Sequence, residues 1–111
     1  MSLFAQTPKP PYYAVIFTSI LADTNTDDYQ KMSQAMSDLA IKQDGFLGLE
    51  SAREQLGITV SYWKDLESIQ KWKTNLSHLH AQKLGKEKWY EYYQIRIAKV
   101  EREYAKDLTT P

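Results

Sequence analysis

With 111 residues, 42% of them hydrophobic and 25% charged, the chain holds enough apolar material for one core and too little length for two. Its 14 basic residues balance 14 acidic ones, which speaks against polyanionic partners such as nucleic acid and against anionic membrane surfaces. The absence of cysteine excludes disulfides, thiolate metal sites and a cysteine nucleophile; no apolar run approaches a signal h-region or the roughly 20 residues of a membrane span, so a cytoplasmic protein is expected.

Residues 1–11 contain Pro8, Pro10 and Pro11 among polar neighbours and read as an extended, flexible arm. The folded domain is expected over 12–104, with a short tail at 105–111. From Tyr12 to Leu21 the run YYAVIFTSIL is β-branched and aromatic, apolar in both alternating sets, which predicts a strand buried on both faces. After the turn-forming ADTNTDD, Tyr29, Met32, Met36, Leu39 and Ala40 share one helical face; Thr26 or a neighbour can cap this helix and Gly45 stops it.

Phe46 to Glu54 and Gly57 to Trp63 read as a hairpin turning around Gln55-Leu56-Gly57. In its second strand Ile58, Val60 and Tyr62 share one face and Thr59, Ser61 and Trp63 the other. Asp65 caps a second helix with Leu66, Ile69 and Trp72 in line, and Ser77 is expected to begin a further short helix carrying Leu84 before Gly85. A last strand is predicted at roughly Tyr92 to Tyr104, with Tyr93, Ile95 and Ile97 on one face and Gln94, Arg96, Ala98 and Val100 on the other.

The order β, α, β, β, α, β favours a ferredoxin-like α+β domain, an antiparallel sheet with both helices on one face. Strands apolar on both sides cannot leave the other face in water, so a homodimer is expected, with a second subunit's sheet as the cover.

The 3 Trp, 8 Tyr and 3 Phe, concentrated from Tyr62 onward, either fill a core and an interface or line a pocket for a flat ligand. His78 and His80, the only histidines, stand two apart and so point to different helix faces; they are not a zinc pair, and no metal site is expected. His78 is either a polar residue of a first helical turn or a general base. Trp72 packs on the buried side of its helix, where its indole N–H needs an acceptor and a ligand oxygen is one candidate. Asn75, one turn on, offers a donor and an acceptor, or closes a helix end. Arg96, a permanent charge in an apolar strand, either pairs with a carboxylate across a dimer or holds an anionic ligand. A Gly-rich phosphate loop, a nucleophile elbow and clustered catalytic carboxylates are all missing, which disfavours nucleotide, acyl-transfer and glycosidase chemistry.

The run GFLGLESAR from Gly45 to Arg53, GITVSYWKDLESIQKW from Gly57 to Trp72, then His78, Ala81-Gln82, Gly85 and WYEYYQIRIAKVE from Trp89 to Glu101 together resemble the antibiotic biosynthesis monooxygenase family. The resemblance implies a dimeric α+β barrel. It also implies a cofactor-independent monooxygenase that acts with O₂ on small aromatic or quinol-like molecules, the deprotonated substrate supplying the electrons. On that reading His78 is base or proton relay, Trp72 and Asn75 contact oxygen, and Tyr62, Phe17 and Arg96 bind substrate. Haem-degrading members carry a first-strand Asn and a haem-ligating His ten residues after the helix Trp; here those places hold Phe17 or Thr18 and Gln82, so no cofactor is expected, with a haem-degrading monooxygenase of the same fold as the alternative. Two other readings stay open. One is a non-catalytic dimer that binds small aromatics; the other is an RNA-recognition domain of the same strand order, which the absence of a basic residue in GITVSYW disfavours.

Overall fold

The computed structural model describes residues 3–22, 26–82 and 90–106. Six elements follow in the expected order: β1 (Tyr12–Leu21), α1 (Thr26–Ile41), β2 (Phe46–Arg53), β3 (Gly57–Trp63), α2 (Leu66–Gln82) and β4 (Tyr90–Val100). The four strands form one antiparallel sheet in the order β2-β3-β1-β4. The domain is therefore α+β and ferredoxin-like.

β1 is hydrogen-bonded on both edges, which is why its sequence needs apolar residues in both alternating sets. Val15 stands opposite Ser61 of β3 and opposite Ile97 of β4, and this register assigns every neighbour to a face. Tyr13, Val15 and Phe17 share a face with Thr59, Ser61 and Trp63. Both helices pack on that face, around a core of Val15, Ala40, Trp63 and Ile69 with Tyr13, Phe46 and Trp72 against it. Burying Trp63 completely is the largest single packing contribution among the described residues.

The opposite face carries Tyr12, Ala14, Tyr62 and Glu50, and residues of the N-terminal arm reach it. The Ala5 amide donates to Glu50 Oε2 at 2.9 Å, and Thr7 Oγ1 donates to Glu103 Oε1 at 2.9 Å. Tyr12 Oη donates to the same Glu103 carboxylate and lies 3.1 Å from Thr7 Oγ1. Gly48, at φ 150°, makes the approach possible: a Cβ there would stand 2.8 Å from that of Ala5.

Three boundaries differ from the sequence expectation. α2 runs unbroken from Leu66 to Gln82 rather than as two pieces, because nothing between Trp72 and Ser77 is a glycine or proline and a lone serine is tolerated in a helix; Leu84 and Gly85 lie outside the described residues. β4 starts at Tyr90 and ends at Val100, where Glu101, Arg102 and Glu103 replace the apolar alternation. β2 ends at Arg53, and the turn closes with the Glu54 amide on the Leu56 carbonyl at 3.1 Å.

From Glu91 to Lys99 β4 is exposed throughout, and neither helix covers it. Tyr92, Tyr93, Ile95 and Ile97 are each about half open to solvent. No helix of the described residues is long and apolar enough to cross a membrane.

Candidate active site

The site begins with the pleat of β3, which turns Thr59, Ser61 and Trp63 toward the helices. Asp65 then starts α2: its Oδ1 accepts the Ser68 amide at 2.7 Å, and hydrogen bonds to Ser68 hold its carboxyl below the usual carboxylate range. From that start, helical spacing brings Ile69, Trp72 and Leu76 over the sheet.

The Trp72 ring stacks on Trp63, centroids 5.0 Å apart and planes at 29°, while Phe46 meets Trp63 edge-on at 5.4 Å. Between this stack, α1 and the sheet lies a cavity of about 120 Å³, partly open to solvent. At its far end Phe17 packs between Tyr90, at 5.2 Å and 73°, and Tyr93, at 5.6 Å and 29°. The walls are thus aromatic and aliphatic, Trp72, Phe17 and Tyr90 with Val15, Leu49, Met36, Ala40 and Leu76, and interrupted by the hydroxyls of Ser33, Ser37, Ser51, Thr59 and Ser61. None of the described lining residues is charged.

The two stacked indoles differ in what their N–H groups meet. Trp63 Nε1 donates to Ser61 Oγ at 2.9 Å. Trp72 Nε1 is buried and has no acceptor among the described residues. An unpaired buried donor costs about 1–3 kcal/mol, so such a group is kept where a ligand or water will accept from it.

Of the residues singled out from sequence, Trp72 and Phe17 line the cavity. The expectation of Tyr62 at its wall is corrected by strand alternation: Tyr62 stands opposite Ala14 on the other face, where it donates to Glu50 Oε1 at 2.8 Å and meets Tyr12 edge-on at 5.8 Å. Burial and the Glu50 carboxylate push its phenol up to about 12. Asn75 is turned outward as well; its Nδ2 donates to Gln43 Oε1 at 3.1 Å, tying α2 to the loop after α1. Arg96 lies exposed on the Tyr62 face, with Nη2 on Gln94 Oε1 at 2.9 Å, and does not reach the cavity. The backbone of His78 belongs to α2, and its side chain lies outside the description. Among the described residues no group of His, Asp or Glu could hold a metal ion.

Sequence reasoning missed the hydroxyls. The available signal was Thr59, Ser51 and Ser61 standing at core-facing positions of the hairpin, and Ser33 and Ser37 one turn apart on the apolar side of α1.

No protein-family model matches the sequence. A curated relative, the uncharacterized protein YqjZ of Bacillus subtilis, is 45% identical over 105 residues, covering 93% of this chain and 91% of that protein. Jasmonate monooxygenase ABM of Pyricularia oryzae is 26% identical over 92 residues, 79% of this chain but 43% of that longer protein. Among solved structures, SnoaB, a cofactor-independent oxygenase from Streptomyces nogalater, superimposes with a TM-score of 0.70 at 11% identity, over 86% of this chain and 98% of its own. MhuD, solved with two manganese protoporphyrin IX molecules per active site, gives a TM-score of 0.67 at 14% identity, over 85% of this chain and 99% of its own.

Proposed function

This chain belongs to the family of Bacillus subtilis YqjZ and has the fold of the antibiotic biosynthesis monooxygenases, and from that premise we propose that it is a monooxygenase of small, flat aromatic or quinol-like molecules that needs no cofactor. The observation that carries this reading is that Trp72, which lines an uncharged, aromatic-walled cavity, has a buried Nε1–H with no acceptor among the described residues. An aromatic ring fits between such walls, and one oxygen on it satisfies the orphan donor.

The chemistry asks little of the protein. A hydroxyl of a phenolic or quinol-like ring, whose carbon to be oxidised still carries hydrogen, loses its proton to a base, for which the family resemblance supplies His78. The resulting anion shares its charge between the ring and that oxygen, where the Trp72 N–H stabilises it in a site of low dielectric. That anion passes one electron to O₂, and the substrate radical and superoxide combine as a peroxide. Return of the proton and loss of water leave a new carbonyl, with one atom of O₂ in the product and the other in water.

Haem is the second reading, favoured by the likeness to MhuD. The described lining residues do not fit it: none is a histidine and none carries a positive charge for the propionates. We also infer a homodimer, because Tyr93, Ile95 and Ile97, each about half exposed on one face of β4, form an apolar strip of the kind a second subunit covers.

Oxygen uptake against a panel of quinols and polyketide-type phenols tests the assignment. Trp72→Phe should lower turnover on the best substrate by about a hundredfold or more, the range expected for one oxyanion donor. Unchanged turnover in both Trp72→Phe and His78→Ala would remove it.

A further inference from the structure

Ser61 is 5% exposed, and its hydroxyl accepts the Trp63 N–H at 2.9 Å. A hydroxyl has one proton to give and two lone pairs. The bond from Trp63 uses a lone pair and leaves the Oγ–H free, with no acceptor among the described residues. Accepting from an indole N–H also polarises the hydroxyl and makes it a better donor. Ser61 lines the same cavity as Trp72, whose Nε1–H is likewise free. One cavity therefore holds two buried donors, and no carboxylate in its described walls would receive a proton from a ligand.

We propose that Ser61 Oγ–H and Trp72 Nε1–H form a two-donor seat for an oxygen that only accepts, a phenolate or a quinone-type carbonyl, and that Ser61 is the residue that selects it. The proposal rests on the reading of this cavity as the ligand site and adds to it the chemical state of the oxygen. With a volume of about 120 Å³, close to the roughly 150 Å³ of an apolar cavity that accepts benzene, the seat takes one ring at a time and leaves the rest of a larger ligand toward the open side. Trp63 sets the direction of the Ser61 proton, so the fully buried indole positions the donor without touching the ligand.

The test uses p-nitrophenolate and its oxygen-free isostere p-nitrotoluene as probes, with binding followed by quenching of tryptophan fluorescence. Ser61→Ala alone would strand the Trp63 N–H, so the comparison is between Trp63→Phe, which keeps the hydroxyl, and the double variant Ser61→Ala/Trp63→Phe, which removes both partners of the buried bond. The double variant should bind p-nitrophenolate about tenfold more weakly than Trp63→Phe, with p-nitrotoluene affinity equal in the two. The spectral pKa of bound p-nitrophenol should also lie below its free value in Trp63→Phe and return toward it in the double variant. Equal affinities for p-nitrophenolate, parallel losses for both probes, or no binding of p-nitrophenolate to the wild-type protein would overturn the proposal. Selective, Ser61-dependent binding without oxygen uptake would uphold it and sink the oxygenase reading; oxygen uptake without dependence on Ser61 would do the reverse.

Discussion

Trp63 and Trp72 lie face to face at 5.0 Å, yet among the described residues only the Trp63 N–H finds an acceptor. On the proposed reading the pair divides structure from ligand recognition. Trp63 is fully buried, so Trp63→Ala should cost about 3–5 kcal/mol, a large share of the 5–15 kcal/mol that holds a domain together. Trp72→Phe keeps a ring against Trp63 and removes a donor that none of the described residues accepts, so its stability should stay within about 1 kcal/mol of wild type. Urea unfolding of the two variants checks the contrast, and a Trp72→Phe protein as unstable as Trp63→Ala would make the second indole a packing residue.

The Tyr62–Glu50 hydrogen bond predicts a loss of stability in alkali. The phenol is raised in the folded state, to about 12 from an ordinary 10. A group that binds its proton more tightly when folded contributes fully below the unfolded value, and that contribution is lost as pH rises from about 10 to about 12. Denaturation midpoints measured across this window should fall more steeply for wild type than for Tyr62→Phe. Parallel curves would mean that the phenol titrates as if it were free.

Gly45 ends the loop between α1 and β2 at φ +88°, and its carbonyl accepts the Lys64 amide at 2.8 Å. A Cβ at this position would collide with the Ser68 side chain at the start of α2. Gly45→Ala should therefore destabilise by at least the roughly 1–2 kcal/mol of a left-handed non-glycine residue, visible as a lower thermal midpoint. An unchanged midpoint would show that the loop and the helix start both relax freely.

The homodimer is testable at β4. Ile97 is 51% exposed in the single chain, and Ile97→Lys replaces one of the three apolar side chains of the strip with a charge. Sedimentation should find a dimer for the wild type and a monomer for the variant, both folded by circular dichroism. A wild-type monomer at micromolar concentration would remove the inferred partner.

Much of the fold was legible along the chain. The doubly apolar β1 had to be an inner strand, alternation sorted the residues of β3 and β4 into faces, and Asp65 marked a helix start, whereas α1 ends at Ile41, ahead of the Gly45 expected to stop it. The site was legible only in part. Trp72 and Phe17 stood out by type and line the cavity, whereas Tyr62 stood out equally and sits on the other side of the sheet.

Local sequence thus determined which residues share a face, because pleat and helix periodicity are properties of consecutive residues. Which face the helices would cover, and hence that Ser61 and Thr59 rather than Tyr62 border the cavity, was decided only by packing. So was the outward turn of Asn75, held by Gln43 from 32 residues away. Such contacts depend on how two elements distant in sequence settle against one sheet, and no short stretch of chain contains that information.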